Sequence, residues 1–446
     1  MKTKSSFRLV AVTLTGLLAS ASIVSGITIP SDGSDGAFAP TESLVVDLSL
    51  AATGDWDTPG DGNGVYDPAQ WAVVFKYSSV DIPPGVTVTF NNHPSRAPVI
   101  WLVDGTVSIA GTVSLNGQTG HAGNALRTFA EPGPGGFRGG RGSDAATSGA
   151  GGMGPGASSY GATLSHASSG AGYGTPGAPG GTEWGGQTPG AAGGEYGNEG
   201  VYPLIGGSGA AGNANGSTGK GGGAGGGAIL IATPGTIILN GQITANGGAG
   251  TGAGYTGSAG GNRCSGGGSG GGIRLIADEI RGNGMLRALG GPGGTAGVSA
   301  LGGNGGLGRI RVEANSNDLV DLGNPAFSPG IPEEVPRIFR DPATPTIESV
   351  SLAGQAVPED PNADLSFPNT DVTLAEPGLA TLIIETSHVP LDGEVRVRVV
   401  RRSGLDETYA ATHTGGTFEA SMWEAEVDIA GGYSTVQVHA VFPDED

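Results

Sequence analysis

The sequence predicts an all-β protein. It reads as a β-solenoid of the parallel β-helix kind, interrupted by a glycine-rich insertion of polyproline II-like segments and followed by an immunoglobulin- or fibronectin-like β-sandwich. Three observations predict this. An eleven-residue unit recurs without a gap, glycine returns at every third position over several runs, and the last hundred or so residues alternate β-branched and polar side chains between short turn signals.

The repeat carries the solenoid. Residues 107–117 read VSIAGTVSLNG, residues 237–247 read IILNGQITANG and residues 280–290 read IRGNGMLRALG. Each has a central glycine (Gly111, Gly241, Gly284) and a closing one (Gly117, Gly247, Gly290). Each follows an apolar strand, at 99–103, 228–232 and 273–277, and a fourth strand at 309–313 starts a copy that then stops. Strand–turn–strand units of this kind stack, with Ile109, Val113, Leu239, Ile243 and Leu286 facing one continuous core and glycine placed where a side chain would clash. An ordinary sandwich with similar hairpins is the competing architecture. A gap-free match over two strands and their turn favours the stack.

Glycine is concentrated: 65 of the 89 glycines lie within 131–310, a density that ordinary globular domains do not reach. Runs such as Gly133, Gly136, Gly139, Gly142 and Gly206, Gly209, Gly212 repeat at three. Three residues per turn is the polyproline II period, and glycine along one edge lets neighbouring helices approach. A flexible low-complexity loop is the alternative. The frequent breaks disfavour a collagen triple helix.

The resulting division is an export signal over 1–26, an N-terminal β region and the start of the solenoid over 27–130, the glycine-rich insertion over 131–226, solenoid repeats over 227–315, a linker over 316–343 and a sandwich over 344–446. Lys2, Lys4 and Arg8 precede an apolar run ending in small residues, which is the pattern of a secretory signal. No later stretch is apolar enough to span a bilayer. The formal charge of −20, about −23 once the signal is gone, opposes binding to nucleic acid or anionic lipid. Cys264 is the single cysteine, so no internal disulfide forms.

Ile82–Phe90, Ala97–Val103, the VSIAGTVSLNG unit and the segments with cores at 226–232 and 271–277 resemble a large group of exported, glycine-rich bacterial proteins. The resemblance spans roughly 44–315, and the carboxy-terminal part resembles sandwich modules attached to such proteins. It implies secretion and a repetitive β architecture, with no agreed activity.

Three kinds of chemistry merit consideration. Asp57, Asp61, Asn63 and Asp67 lie in a Gly-rich loop, where alternating oxygen-bearing side chains could converge on calcium; a solvated Asx-turn loop is the plainer reading. Tyr160, Tyr173, Trp184, Tyr196 and Tyr202 stand in the glycine-rich insertion and could stack on sugars or on another surface protein, or simply fill gaps between extended segments. For catalysis, a secreted β-helix suggests a polysaccharide lyase or hydrolase, which needs paired carboxylates or a base beside a metal. The carboxylates, Glu131 among them, are scattered, no nucleophile motif occurs, and the six histidines lack metal-ligand spacing and are expected at the surface or in turns. No catalytic residue is therefore expected. The sequence points to a secreted or cell-surface structural or adhesive protein that binds glycan or matrix, with calcium as its conceivable cofactor and a polysaccharide-acting enzyme as the alternative. Ice or mineral binding would need a threonine array, which the period-three face lacks.

Overall fold

A computed structural model describes residues 26–441 except 58–62, 122–127, 143–148, 160–166, 182–188, 214–218, 253–263, 296–300, 340–344, 359–360, 362–369 and 402–406. The signal segment, Asp61, Tyr160 and Trp184 lie outside the described residues.

The chain is all-β. Two mostly parallel sheets, one of twelve strands that curls and one of five, precede separate antiparallel sheets of five and three strands. No helix among the described residues is long and apolar enough to cross a membrane.

The eleven-residue units lie beside one another as their spacing requires. Val107, Ile237 and Ile280 are successive parallel partners in the large sheet, and Val113, Ile243 and Leu286 are successive partners in the five-stranded sheet. The preceding strands stack likewise: Phe75, Trp101, Ile231, Leu275 and Val312 form one column, and all five are buried. Both sheets contribute to a single apolar core. Each fully buried aliphatic side chain in it contributes about 1.5–3 kcal/mol by leaving water.

Val99–Val103 is buried on both faces, because a strap containing Ile27 and Ile29, together with Val201 and Leu204, covers its outer side. The central glycines are obligatory for close approach. A Cβ on Gly111 would lie 2.3 Å from the Val86 carbonyl oxygen, and one on Gly241 would lie 1.9 Å from that of Gly111. The fourth copy does not stop at 313. Its strand runs Arg309–Leu319, in register with Gly272–Gly282, and Ser328–Gly330 pairs with it in turn. Backbone pairing, rather than apolar periodicity, carries that extension, since its last residues are largely exposed.

The described parts of the glycine-rich layer contain no helix or ladder strand, yet their amides are paired in rotation. Gly221, Ala224 and Gly227 donate to the carbonyls of His121, Gln118 and Leu115. Gly222 and Gly225 donate to Gly140 and Phe137, and Gly223 and Gly226 donate to Gly266 and Ser269. The chain thus returns to the same neighbour every third residue. A Cβ on Gly225 would lie 1.8 Å from the Gly207 oxygen, so only glycine permits this spacing.

The carboxy-terminal sheets enclose one apolar cluster that includes Leu382, Ile384, Val395, Val397 and Trp423. Of the strands expected at 346–352, 371–374, 381–386, 394–400, 419–427 and 435–442, five are present as Thr346–Leu352, Gly378–Ser387, Glu394–Arg401, Ser421–Ile429 and Ser434–Val441, the last two shifted by one or two residues. Asp371–Leu374 forms no strand, whereas Glu407–Ala410 and Thr412–Gly416 do. Arg398 Nη1 donates to the Gly152 carbonyl (2.6 Å) and Arg141 Nη2 to that of Arg401 (3.0 Å), beside a small apolar cluster of Phe129, Ala150, Met153 and Val400. These contacts tie the glycine-rich layer to the terminal sheets.

Candidate functional site

A cleft of about 340 Å³ opens where three distant segments meet: residues 89–96, 114–118 and 131–138. Strand Thr87–Asn91 supplies the first wall and strand Thr112–Ser114 its continuation. After Asn91 the chain turns sharply. Arg96 N–H donates to the His93 carbonyl (2.8 Å) and Arg96 itself has a left-handed backbone, φ 55°. Trp71 Nε1 anchors that turn on the Ser95 carbonyl (3.0 Å), and His93 is buried, stacked on Tyr66 with ring centroids 4.0 Å apart. His93 was expected at the surface or in a turn. It occupies the turn, but the stacking takes it out of solvent.

Glu131 joins the walls. Its Oε1 accepts from Arg138 Nε at 2.7 Å and its Oε2 lies 3.5 Å from Arg96 Nε. Gln118 holds its backbone on both sides, through Oε1 to the Glu131 amide (3.2 Å) and through its own N–H to the Glu131 carbonyl (2.9 Å). Asn92 Nδ2 donates to the Pro132 carbonyl (2.8 Å), while its buried Oδ1 has no hydrogen-bond partner. Phe90 brings an aromatic ring to a lining otherwise rich in amide, hydroxyl and charged groups. Such a surface offers donors and acceptors in several directions beside one apolar face, the mixture that recognises a polyhydroxylated ligand.

Of the expected cation ligands, Asp57, Asn63 and Asp67 are described. Asp57 is exposed and its carbonyl accepts from Lys76 Nζ (3.1 Å). Asn63 is exposed as well. Asp67 is buried, and its Oδ1 accepts from the Ala69 amide (2.9 Å), closing an Asx turn that leads into strand Ala72–Tyr77. The described aromatics of the glycine-rich layer face the protein. Tyr173 is fully buried with its hydroxyl on the Ile205 carbonyl (3.0 Å), so it presents no face to a ligand; a large ring is what fills the gap left between glycine-lined segments. The Tyr196 ring lies tilted at 32° against it, centroids 4.5 Å apart, and its hydroxyl donates to the Gly206 carbonyl (2.6 Å). Burial raises the pKa of both phenols. Tyr202 is half-buried and its hydroxyl donates to the Phe339 carbonyl (2.6 Å).

In the sequence Glu131 is one of several scattered carboxylates, and no motif marks Arg96, Arg138, Asn92 or Gln118. The one visible signal was the Asn-Gly that closes the first repeat, since Asn116 lies at the cleft. Comparisons of the chain with family models, with curated proteins and with solved structures returned no match.

Proposed function

We propose that this is a secreted or cell-surface structural and adhesive protein that binds glycan at the cleft between residues 89–96, 114–118 and 131–138. In this reading the parallel stack is a β-solenoid, the rotating amide network joins polyproline II-like segments, and the terminal sheets form an immunoglobulin- or fibronectin-like sandwich offering a second attachment surface. The observation that carries the proposal is the cleft lining: Phe90 beside Asn91, Asn92, Asn116 and Gln118, with Glu131 held between two arginines. Sugars are bound by such planar amide and charged groups, which engage neighbouring hydroxyls in pairs, and by an aromatic face against the sugar's C–H surface. The glycine-rich layer supports the structural half of the reading, because its closely spaced segments are joined by repeated backbone hydrogen bonds.

A glycan array on the whole mature protein, with and without calcium, tests this. Binding that is lost on combining Asn91→Ala with Ser114→Ala, two cleft positions with no described structural hydrogen bond through their side chains, supports it; an array without a single hit removes it. Calcium at Asp57, Asp61, Asn63 and Asp67 would show as hits that require the ion. Release of new sugar ends from a bound polysaccharide would instead favour the polysaccharide-acting alternative.

A further inference from the structure

We infer that the ligand of this cleft is an anionic glycan, one carrying uronate carboxylates or sulfate esters. The inference rests on the glycan-binding reading above and names its substrate class. Acidic residues outnumber Lys and Arg by 41 to 21 over the chain, so its surface as a whole repels anions. The cleft reverses this balance. Among the described residues its charged side chains are Arg96, Arg138 and Glu131, two guanidiniums against one carboxylate.

The arrangement of the three is also that of an anion site. Arg96 and Arg138 have only 14% and 10% of their side chains exposed, whereas the Glu131 side chain is 38% exposed. The two arginine side chains are thus the more enclosed and the carboxylate the more exposed. Each arginine presents its Nε to a different oxygen of that one carboxylate. Glu131 thus occupies the position that the carboxylate or sulfate of a ligand would take, as an internal counter-ion. Two converging guanidiniums suit planar oxyanions far better than they suit neutral hydroxyls, because charge-assisted hydrogen bonds are roughly twice as strong as neutral ones.

The test is calorimetric titration of the full chain with three oligosaccharides of equal length: a hexuronate, a sulfated hexose and a neutral hexose. The expected result is that one or both anionic sugars bind at least about tenfold tighter than the neutral one, and that this margin shrinks as salt is raised. Preference for the first identifies the carboxylate as the group recognised, and preference for the second identifies the sulfate. Glu131→Gln removes the competing counter-ion. It is expected to tighten anionic binding about threefold or more. Neutral sugar bound as tightly as both anionic ones overturns the inference and leaves the glycan reading standing. Weaker anionic binding in Glu131→Gln also overturns it, provided the variant's thermal unfolding matches the parent. Binding of none of the three overturns the inference together with the glycan reading.

Discussion

Asn116 and Asn246 are 130 residues apart and directly joined: the Asn246 amide donates to Asn116 Oδ1 at 2.7 Å. Asn246 repeats the contact one copy further on, its Oδ1 accepting from the Leu289 amide at 2.8 Å. The asparagines at the repeat ends thus form a rung-to-rung ladder that satisfies backbone donors where the strands have ended. Asn246→Ala leaves the Leu289 amide without its acceptor. It is expected to lower stability by about 1 kcal/mol, measured by denaturant unfolding. Asn246→Asp, which keeps the acceptor oxygen, should lose less than Asn246→Ala.

Gly225 in the paired layer tolerates no side chain. In Gly225→Ala the new methyl would meet the Gly207 carbonyl at 1.8 Å and the Ser208 nitrogen at 2.9 Å, both of them backbone. The expected cost is at least about 3 kcal/mol, at the upper end of overpacking effects. Gly194→Ala is the control, because nothing lies within 4 Å of a Cβ there. A melting temperature for Gly225→Ala equal to that of Gly194→Ala would show that the layer is not close-packed.

Tyr196 is expected to support the scaffold rather than touch ligand. Its hydroxyl donates to the Gly206 carbonyl and accepts from Ser208 Oγ at 3.0 Å. Tyr196→Phe should cost about 1–2 kcal/mol. Glycan affinity, measured well below the unfolding transition, should be unchanged.

Acidification should weaken the terminal sheets before it affects the stack. Burial, and then the Arg396 and Arg398 guanidiniums, hold the His439 pKa below its ordinary value. The unfolded chain therefore takes up this proton first, and stability falls as pH drops below about 6.5. His439→Gln should flatten the dependence of melting temperature on pH in that range. The Asp321 carboxyl is held below the usual carboxylate range by its hydrogen bond to Arg287. Its contribution is present above the ordinary carboxyl pKa and is lost only in stronger acid, so Asp321→Asn should leave the profile near neutrality unaltered in shape.

Much of the architecture was legible because it is written in local periodicity. The offset between VSIAGTVSLNG and IILNGQITANG is the pairing register of Val107 with Ile237 and of Val113 with Ile243. Stacked copies must place equivalent residues side by side, so sequence spacing becomes spatial register. Val99–Val103 could be read as buried on both faces because an unbroken apolar run has no polar face to give to water. Asp371–Leu374 forms no strand, because four residues of favourable pattern become one only when a neighbouring edge pairs with them, and no such pairing occurs among the described residues.

The sequence by itself determined the all-β class, the repeat and its register, and the positions where glycine is required, since each follows from backbone geometry and side-chain alternation within a few residues. Only the tertiary structure decided where polar side chains converge. Arg96, Gln118, Glu131 and Arg138 come from segments with no common period. They meet because the turn at His93–Arg96 and the return of the chain at Glu131 lie over the same strand ends. It decided likewise that Tyr173 fills an interior gap instead of facing solvent, because an aromatic ring among glycines reads the same in sequence whether the space beside it is open or closed.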